Sequence, residues 1–596
     1  MYLKPENIKE LVKISNNKKE MPEEEKMAFH LSTGEKCDFL CSVNKNLSLC
    51  FQCLIREGCQ NEHALLQLLL STPKIDDLVI WETSLKDLNT EKWENFTVDF
   101  ISKRKDIFQY LNINEEIRLT FILQPIEKPE ANTASIFISE PMLLPHNFVF
   151  MKGEKENQNV ILISLDTLRA DHLSVYGYPR KTSPCISDIA KQGTLFKKAY
   201  SSASWTLPSH ISLFTGVYSS RLTNSPISQQ NIWTQYKKKF CKTETMANLY
   251  EKKGYFTAAF TGGGAVCSEF GFSNGFHLYI NDEGTTGNKD KTEKIFRKSI
   301  EWIKKVNKSG NFFLFLHTYE VHQPHLHRYF IKKGSRGGRL SRHKNITKIE
   351  FSNPTPEEKE FAADLYDSSI YRVDQYLGRL MDELRHLKLL DKTLIIILGD
   401  HGEDIWDHED FGHCEMYEEV LHVPLIFYNL PGIPPGSIFE NLVSLLDLFP
   451  TLIKIHKLTP TQALSVDGID LSPLFQKTLL PPRKIFSECW VSSDPDNINQ
   501  KDISVIDENY HYIRRFEQTT LSILREQLYF IPNDPLEQRD IAKLLPKKLK
   551  TYQTLTDNFL SKISSPKEKD APPEKLPYSG EEESKLMDKL KALGYF

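Results

Sequence analysis

The chain has 596 residues, 40% hydrophobic and 26% charged, with a formal net charge of -4. That length accommodates several domains with sizeable cores, and the near-neutral balance leaves no electrostatic footprint for a nucleic-acid partner. The opening MYLKPENIKELVKISNNKKEMPEEEK lacks the apolar centre of a secretory signal, and no run approaches the roughly 18 apolar residues of a membrane span, so the sequence predicts a cytoplasmic protein.

Residues 1–150 carry short β-rich runs separated by charges and turn-formers: LSLCFQCLI, ALLQLLLS, WENFTVDFI, EIRLTFILQP and ASIFISEPMLL. Helical periodicity is largely missing, which predicts an N-terminal β-sandwich. Cys37, Cys41, Cys50, Cys53 and Cys59 crowd into this region. Cys50-x2-Cys53 has zinc spacing, but no second close pair completes four ligands, so the thiols read as buried and free. KGEKENQN, residues 152–159, reads as a linker.

From 157 to 482 the pattern changes. VILISLD, YFTAAFT, FFLFLHTYE, TLIIILGDHGED and VPLIFYNL are nearly continuous apolar runs, as expected of parallel strands buried on both faces. Helical stretches lie between them. In 361–388, Ile370, Val373, Leu377, Leu380, Leu384 and Leu387 recur at three and four, one apolar face of a helix that reads as packing alone. Strands alternating with helices predict a doubly wound, mostly parallel α/β domain. Gly262-Gly263-Gly264 precedes no GK[ST] and reads as a tight turn. Residues 483–563 predict a small antiparallel sheet and then a helix, and 564–596 a charged linker and a docking helix.

Ligands of a parallel sheet bind beyond the carboxyl ends of its strands. Asp166 closes VILISLD, Asp400 and His401 follow TLIIILG, and Thr206 opens a helix in SSASWTLPSHISLFTG. Two carboxylates, one imidazole and one hydroxyl at one rim suit a divalent cation. Thr206 is either an ordinary N-cap or a nucleophile, which a metal would activate and a helix N-terminus would furnish with an anion site. Pro208 suits a first helical turn.

These residues resemble the sulfatase family of the alkaline phosphatase superfamily. The resemblance runs from about residue 159 to the C-terminus. It is carried in order by LISLDTLRADHLSVYGYPRKTSPCISDIAKQGTLFKKAYS, WTLPSHISLFTG, LHTYEVHQPH, LGDHGEDIWDHEDFGH, MYEEVLHVPLIFY and EQLYFIPNDPLEQRDIA. The N-terminal region loosely resembles the jelly-roll modules that sometimes precede such domains. The resemblance implies that Asp166, Thr206, Asp400 and His401 bind one divalent metal, either Mn, Zn, Ca or Mg. It places Thr206 as nucleophile and His210 where sulfatases carry an Arg, with His210, His322 and His413 on the substrate's anion and one of the histidines protonating the leaving group. Thr167 and His408 lie nearby, and His325 and His327 read as surface or loop residues.

Sulfatases oxidise a Cys or Ser at the position of Thr206 to formylglycine, an aldehyde that Thr cannot become. The departure resembles phosphonate monoester hydrolases and lipoteichoic acid synthases. It implies a hydrolase of phosphate esters, with sulfate esters or a catalytically inactive binding protein as alternatives. The substrate is expected to be a small-molecule or glycan-linked anionic ester.

Overall fold

The structure, a computed structural model, describes residues 158–223, 240–281, 291–332, 337–340, 353–490 and 500–563, short breaks apart, and ten strands before them. The thiol side chains between Cys37 and Cys59, most of the linker and residues 564–596 lie outside the described residues. The chain forms two compact units, Met1–Lys152 and Gly153–Phe596.

The first unit is all β. Its strands are β1 Leu11–Ile14, β2 Lys26–Ser32, β3 Lys36–Ser42, β4 Leu47–Ile55, β5 Ala64–Thr72, β6 Ile75–Ser84, β7 Glu94–Asp99, β8 Glu116–Pro125, β9 Ser135–Ser139 and β10 Met142–Pro145. They form two antiparallel sheets, one ordered β1-β2-β9-β4-β10 with β7 on β4, the other β3-β8-β5-β6. Leu66 and Leu68 on β5, and Leu119, Phe121 and Leu123 on β8, are buried at alternate positions, with Leu69 and Thr120 buried outside that alternation. This is the period-2 signature of a sheet with a covered face.

The second unit is organised by an eight-stranded sheet. Its strands are β11 Asn159–Leu165, β12 Thr194–Tyr200, β13 Phe256–Thr261, β14 Leu278–Asn281, β15 Phe312–Thr318, β16 Thr393–Gly399, β19 His422–Tyr428 and β20 Ser437–Ser444, with the two-residue strands β17 Asp404–Ile405 and β18 Phe411–Gly412 paired beside it. The order is β14-β13-β15-β11-β16-β19-β12-β20. Every residue of β11, β13, β15 and β16 is buried, which explains their unbroken apolar runs.

The sheet corrects one expectation. VPLIFYNL was expected to run parallel, yet β19 is antiparallel to both β16 and β12. The chain leaves β16 at its carboxyl end and re-enters β19 at that same end, and such a return can only reverse direction. Strands β12, β14 and β20 escape a search for apolar runs. TLFKKAY carries two lysines, and β14 and β20 are the sheet's edges, where β20 alternates half-buried and exposed residues over its first half.

Helices cover the sheet: α1 Pro184–Gln192, α2 Thr206–Thr215, α3 Lys291–Val306 and α4 Pro356–His386. α4 starts five residues before the apolar periodicity does. Thr355 caps it, with Pro356 at the first position and Glu358 closing a capping box, a sequence signature of a helix start. Ile370, Val373, Leu377, Leu380 and Leu384 are buried as the periodicity requires. α4 nevertheless does more than pack. Asp364, Tyr366, Asp367, Ser368, Ser369 and Asp374 are buried too, and they hold the neighbouring loops. Asp374 accepts the backbone N–H groups of Cys185 and Ile186 at the start of α1, and Asp367 pairs with His172 at 2.7 Å.

Residues 485–530 form the antiparallel sheet β21 Ile485–Cys489, β22 Gln500–Ile506, β23 Tyr510–Glu517 and β24 Ile523–Phe530, in that order. α5, Pro546–Ile563, follows, stacking Tyr552 on Tyr512 and Phe559 on Phe486. This sheet buttresses the segment ahead of Thr206. Glu488 donates its N–H to the Ser202 carbonyl at 3.0 Å, and the Ser487 hydroxyl donates to the Ser201 carbonyl at 2.6 Å. Among the described residues no helix is long and apolar enough to cross a membrane.

Candidate active site

The carboxyl ends of β11 and β16 lie side by side, with Leu165 opposite Gly399. Asp166 and the pair Asp400–His401 therefore emerge together. Two glycines permit the close packing. A Cβ on Gly399 would meet the Leu168 carbonyl oxygen at 2.3 Å, and one on Gly402 the Glu419 carbonyl oxygen at 1.9 Å.

Thr206 is not the N-cap. Trp205 takes that place, and Thr206 is the first helical residue, with Pro208 in the first turn. The Thr206 hydroxyl is thereby released from capping. It donates to Asp166 Oδ2 at 2.9 Å and lies 3.2 Å from His401 Nε2. Ser209, one turn on, donates to the Asp400 carbonyl at 2.7 Å and pins the helix start to the second ligand loop.

The tautomers follow from the hydrogen bonds. His401 Nδ1 lies 2.8 Å from the Gly402 carbonyl, so it carries the proton, and the Nε2 lone pair faces Thr206. His322 Nδ1 donates likewise to the Gln323 carbonyl at 2.8 Å, which turns its Nε2 toward His413 Nε2 at 3.3 Å. One proton on that axis joins the two rings. Burial, then the neighbouring His322, pushes His413 down to about 3; burial, then His413, pushes His401 well below the usual imidazole range. Both rings are neutral near pH 7.

Asp166 and Asp400 are fully buried. Burial pushes Asp166 up to about 6, and burial together with Asp166 raises Asp400 well above the usual carboxylate range. Among the described residues Asp166 Oδ1 and Asp400 Oδ2 have no hydrogen-bond partner, although Asp400 Oδ1 accepts the Thr167 N–H at 3.3 Å. Orphaned buried carboxylate oxygens are costly unless a cation or proton compensates them. Ligand atoms of Asp166, Asp400 and His401 all lie within 4.8 Å of one another. A hard or borderline divalent ion fits this donor set.

Two imidazoles lie under these ligands. His210, expected on the anion, has both ring nitrogens engaged within the protein. Its Nδ1 donates to the Thr206 carbonyl at 2.8 Å and its Nε2 accepts from Ser164 Oγ at 3.0 Å. A ring satisfied by its own helix four residues back supports the floor of the site, and it also stands 3.5 Å from Asp400 Oδ2. His317, outside the expected one-metal set, places Nε2 3.3 Å from Asp166 Oδ2. Its signal in sequence is its place one residue before the end of β15, beside β11.

Other expectations do not converge on the site. His408 pairs with Glu419 at 2.7 Å and stacks on Tyr417 with ring centroids 3.8 Å apart. Burial opposes its charge, but Glu419 raises it to about 9. His325 and His327 are not surface residues. His325 is buried, its Nε2 3.7 Å from Glu403, and His327 pairs with Glu320 at 2.7 Å, both side chains about nine-tenths covered. Their polar partners lie far away in sequence or within the same loop, which a linear pattern cannot reveal.

Comparison with known proteins decides the lineage, because residues 158–457 match the family model described as Sulfatase. The chain belongs to the sulfatase family. It is thus an ester hydrolase of the alkaline phosphatase superfamily, whose members bind a divalent metal. Arylsulfatase K of Homo sapiens is 26% identical over 460 residues, covering 69% of this chain and 83% of that protein. Arylsulfatase K of Xenopus laevis is 25% identical over 438 residues, covering 64% and 78%. Among solved structures, the phosphonate monoester hydrolase of Agrobacterium radiobacter superimposes with a TM-score of 0.53 at 18% identity, covering 68% of this chain and 96% of that one. BT1596, a 2-O GAG sulfatase, gives 0.54 at 18%, covering 69% and 93%. At such identities these two show the sulfatase fold alone.

Proposed function

We propose that this sulfatase-family protein is a metal-dependent hydrolase of phosphate esters, diesters or phosphonate-like monoesters, acting through a covalent Thr206 intermediate. The observation that carries the reading is the Thr206 hydroxyl. It stands at a helix N-terminus, hydrogen-bonded to Asp166 and facing the bare nitrogen of His401, in a residue that cannot be oxidised to an aldehyde. Asp166, Asp400, His401 and Thr206 would hold the ion. Bound there, a divalent cation supplies Lewis acidity and stabilises an ionised hydroxyl.

The chain's own residues account for the remaining steps. The N–H groups at the start of α2 favour a tetrahedral anion. Thr206 Oγ1 forms a bond to phosphorus as the bond to the leaving oxygen breaks, and its proton departs along the hydrogen bond to Asp166. The N–H shared by His322 and His413 donates a hydrogen bond to the leaving oxygen and stabilises its developing charge, and solvent supplies the proton that the released group takes up. Water then attacks phosphorus and releases one proton to solvent, while the bond to Thr206 Oγ1 breaks and the hydroxyl recovers the proton held on Asp166.

A second reading, sulfate ester hydrolysis at the same site, is favoured by the Arylsulfatase K relatives. Initial rates on an aryl phosphate, a bis-aryl phosphodiester, an aryl phosphonate and an aryl sulfate, with Mn2+ or Zn2+ added, separate the readings. Faster turnover of a phosphorus ester, lost in Thr206→Ala, is expected. Faster turnover of the aryl sulfate would replace the first reading with the second, and no turnover of any ester by the metal-loaded chain would favour a binding protein.

A further inference from the structure

Thr167 follows the Asp166 ligand with φ at +57°. This is the left-handed region, which a β-branched residue avoids because its Cβ crowds the backbone. Such a conformation persists only where its surroundings hold it. It matters here because it aims the Thr167 N–H at Asp400 Oδ1, 3.3 Å away. One residue thereby joins the loop of the first carboxylate to the second carboxylate.

What holds Thr167 comes from α4. The Tyr366 hydroxyl donates to the Thr167 carbonyl at 2.6 Å and accepts the Arg169 N–H at 2.9 Å. A single buried oxygen thus ties both flanks of the turn, and both Tyr366 and Thr167 are 0% exposed. The Tyr366 ring is fixed in turn by edge contacts with His172 and His325, at centroid distances of 4.9 and 5.7 Å. From the far side, Gly399 leaves room for the Leu168 carbonyl.

The geometry points to Tyr366 as a positioning residue for the metal-ligand set: its hydroxyl clamps the Thr167 turn and so fixes the approach of Asp166 to Asp400. Both of its hydrogen bonds go to backbone groups of the turn. The inference rests on the reading of Asp166 and Asp400 as ligands, and it predicts that the clamp is needed only while residue 167 is strained. Glycine adopts a left-handed φ without that cost.

The test is a double-mutant cycle on the full chain: wild type, Tyr366→Phe, Thr167→Gly and the double variant. Each is stripped of metal, checked for fold by circular dichroism, and titrated with Mn2+ and Zn2+ to obtain dissociation constants. Tyr366→Phe keeps the ring and its packing but removes both hydrogen bonds. It should weaken binding by about tenfold or more. In the Thr167→Gly background the same change should cost less than about threefold, since the two sites act as one. Ser369→Ala, on the same helix but bonded to His325 at 3.4 Å, should bind as wild type does.

Wild-type affinity in Tyr366→Phe overturns the inference. So does an equal loss in both backgrounds, which would place the effect elsewhere than in Thr167. So does failure of Tyr366→Phe to fold, which would assign the hydroxyl to the fold at large. A wild-type chain that takes up neither ion would instead defeat the ligand reading itself, so the two failures are distinguishable.

Discussion

Two buried clusters in the second unit are made from the same three groups, a hydroxyl, an imidazole and a carboxylate. In one, Thr206 sits between Asp166 and His401. In the other, Ser504 Oγ lies 2.5 Å from His511 Nε2, and His511 Nδ1 pairs with Glu537. The second has the outline of a nucleophile triad. The difference lies in what is left over. The remaining Glu537 oxygen accepts the Glu418 N–H at 2.9 Å, and none of these three side chains keeps a buried polar atom without a partner. They join β22, β23 and the turn after β24 into one block. At the sheet rim, Asp166 and Asp400 each keep an orphaned oxygen, at a helix N-terminus and beyond the ends of parallel strands. Residue types alone do not mark a reactive site; buried polar atoms that the protein leaves unsatisfied, facing a place for a ligand, do.

The comparison is broken most directly through the hydroxyls. Thr206→Ala should lower turnover of the best ester by about a thousandfold or more, as removal of a nucleophile does. Ser504→Ala should leave kcat/KM within about twofold while lowering unfolding free energy by about 1–2 kcal/mol in urea titrations. Equal activity losses in the two variants would erase the distinction.

The carboxylates sharpen it next. Asp400→Asn should weaken metal binding by about a hundredfold yet raise the metal-free thermal midpoint by about 3 °C, because it replaces a carboxyl whose ionisation burial and Asp166 oppose. Glu537→Ala should do the reverse, keeping metal affinity and losing about 3 kcal/mol of stability, since it strips a buried imidazole of its partner. Metal titrations and thermal scans of both variants check this.

The imidazoles come third. His322→Gln should lower kcat by about a hundredfold for esters with poor leaving groups and much less for activated aryl esters. A uniform loss across leaving groups would remove the shared proton from the mechanism.

The smallest effect is one of pH. A metal binds the ionised carboxylate, and burial holds Asp166 up to about 6. Protons therefore compete for both ligands, and affinity should fall by at least about tenfold per unit below pH 6, where protonation of Asp166 adds to that of Asp400, itself raised well above the usual range. Affinity that stays flat between pH 5 and pH 7 would contradict this.

Much of this was legible beforehand. Asp166, Asp400 and His401 stand at the ends of apolar runs, where strand periodicity and the rule for parallel sheets place them together. His322 and His413 were legible only through the resemblance of their blocks to sulfatases, because a lone histidine in a loop has no period. The contact of His317 with Asp166 and the true attitude of His210 were not legible. The first depends on β15 lying against β11, and the second on a ring nitrogen choosing its own helix carbonyl over an outside anion. Helix α4 shows the same divide. Its apolar face repeats at three and four, whereas its buried polar row has no meaning until Arg169, His172 and Thr167 come beside it.

The sequence by itself determined the apolar central strands, helices α2, α4 and α5 and the family, because these rest on periodicity, capping and order along the chain. Only the tertiary structure decided that β19 reverses, that His408 serves an ion pair, that Ser504 meets His511, and that Tyr366 reaches Thr167. Each of these depends on which buried polar atoms find partners across long separations, and that is settled when the layers close, not by any local pattern.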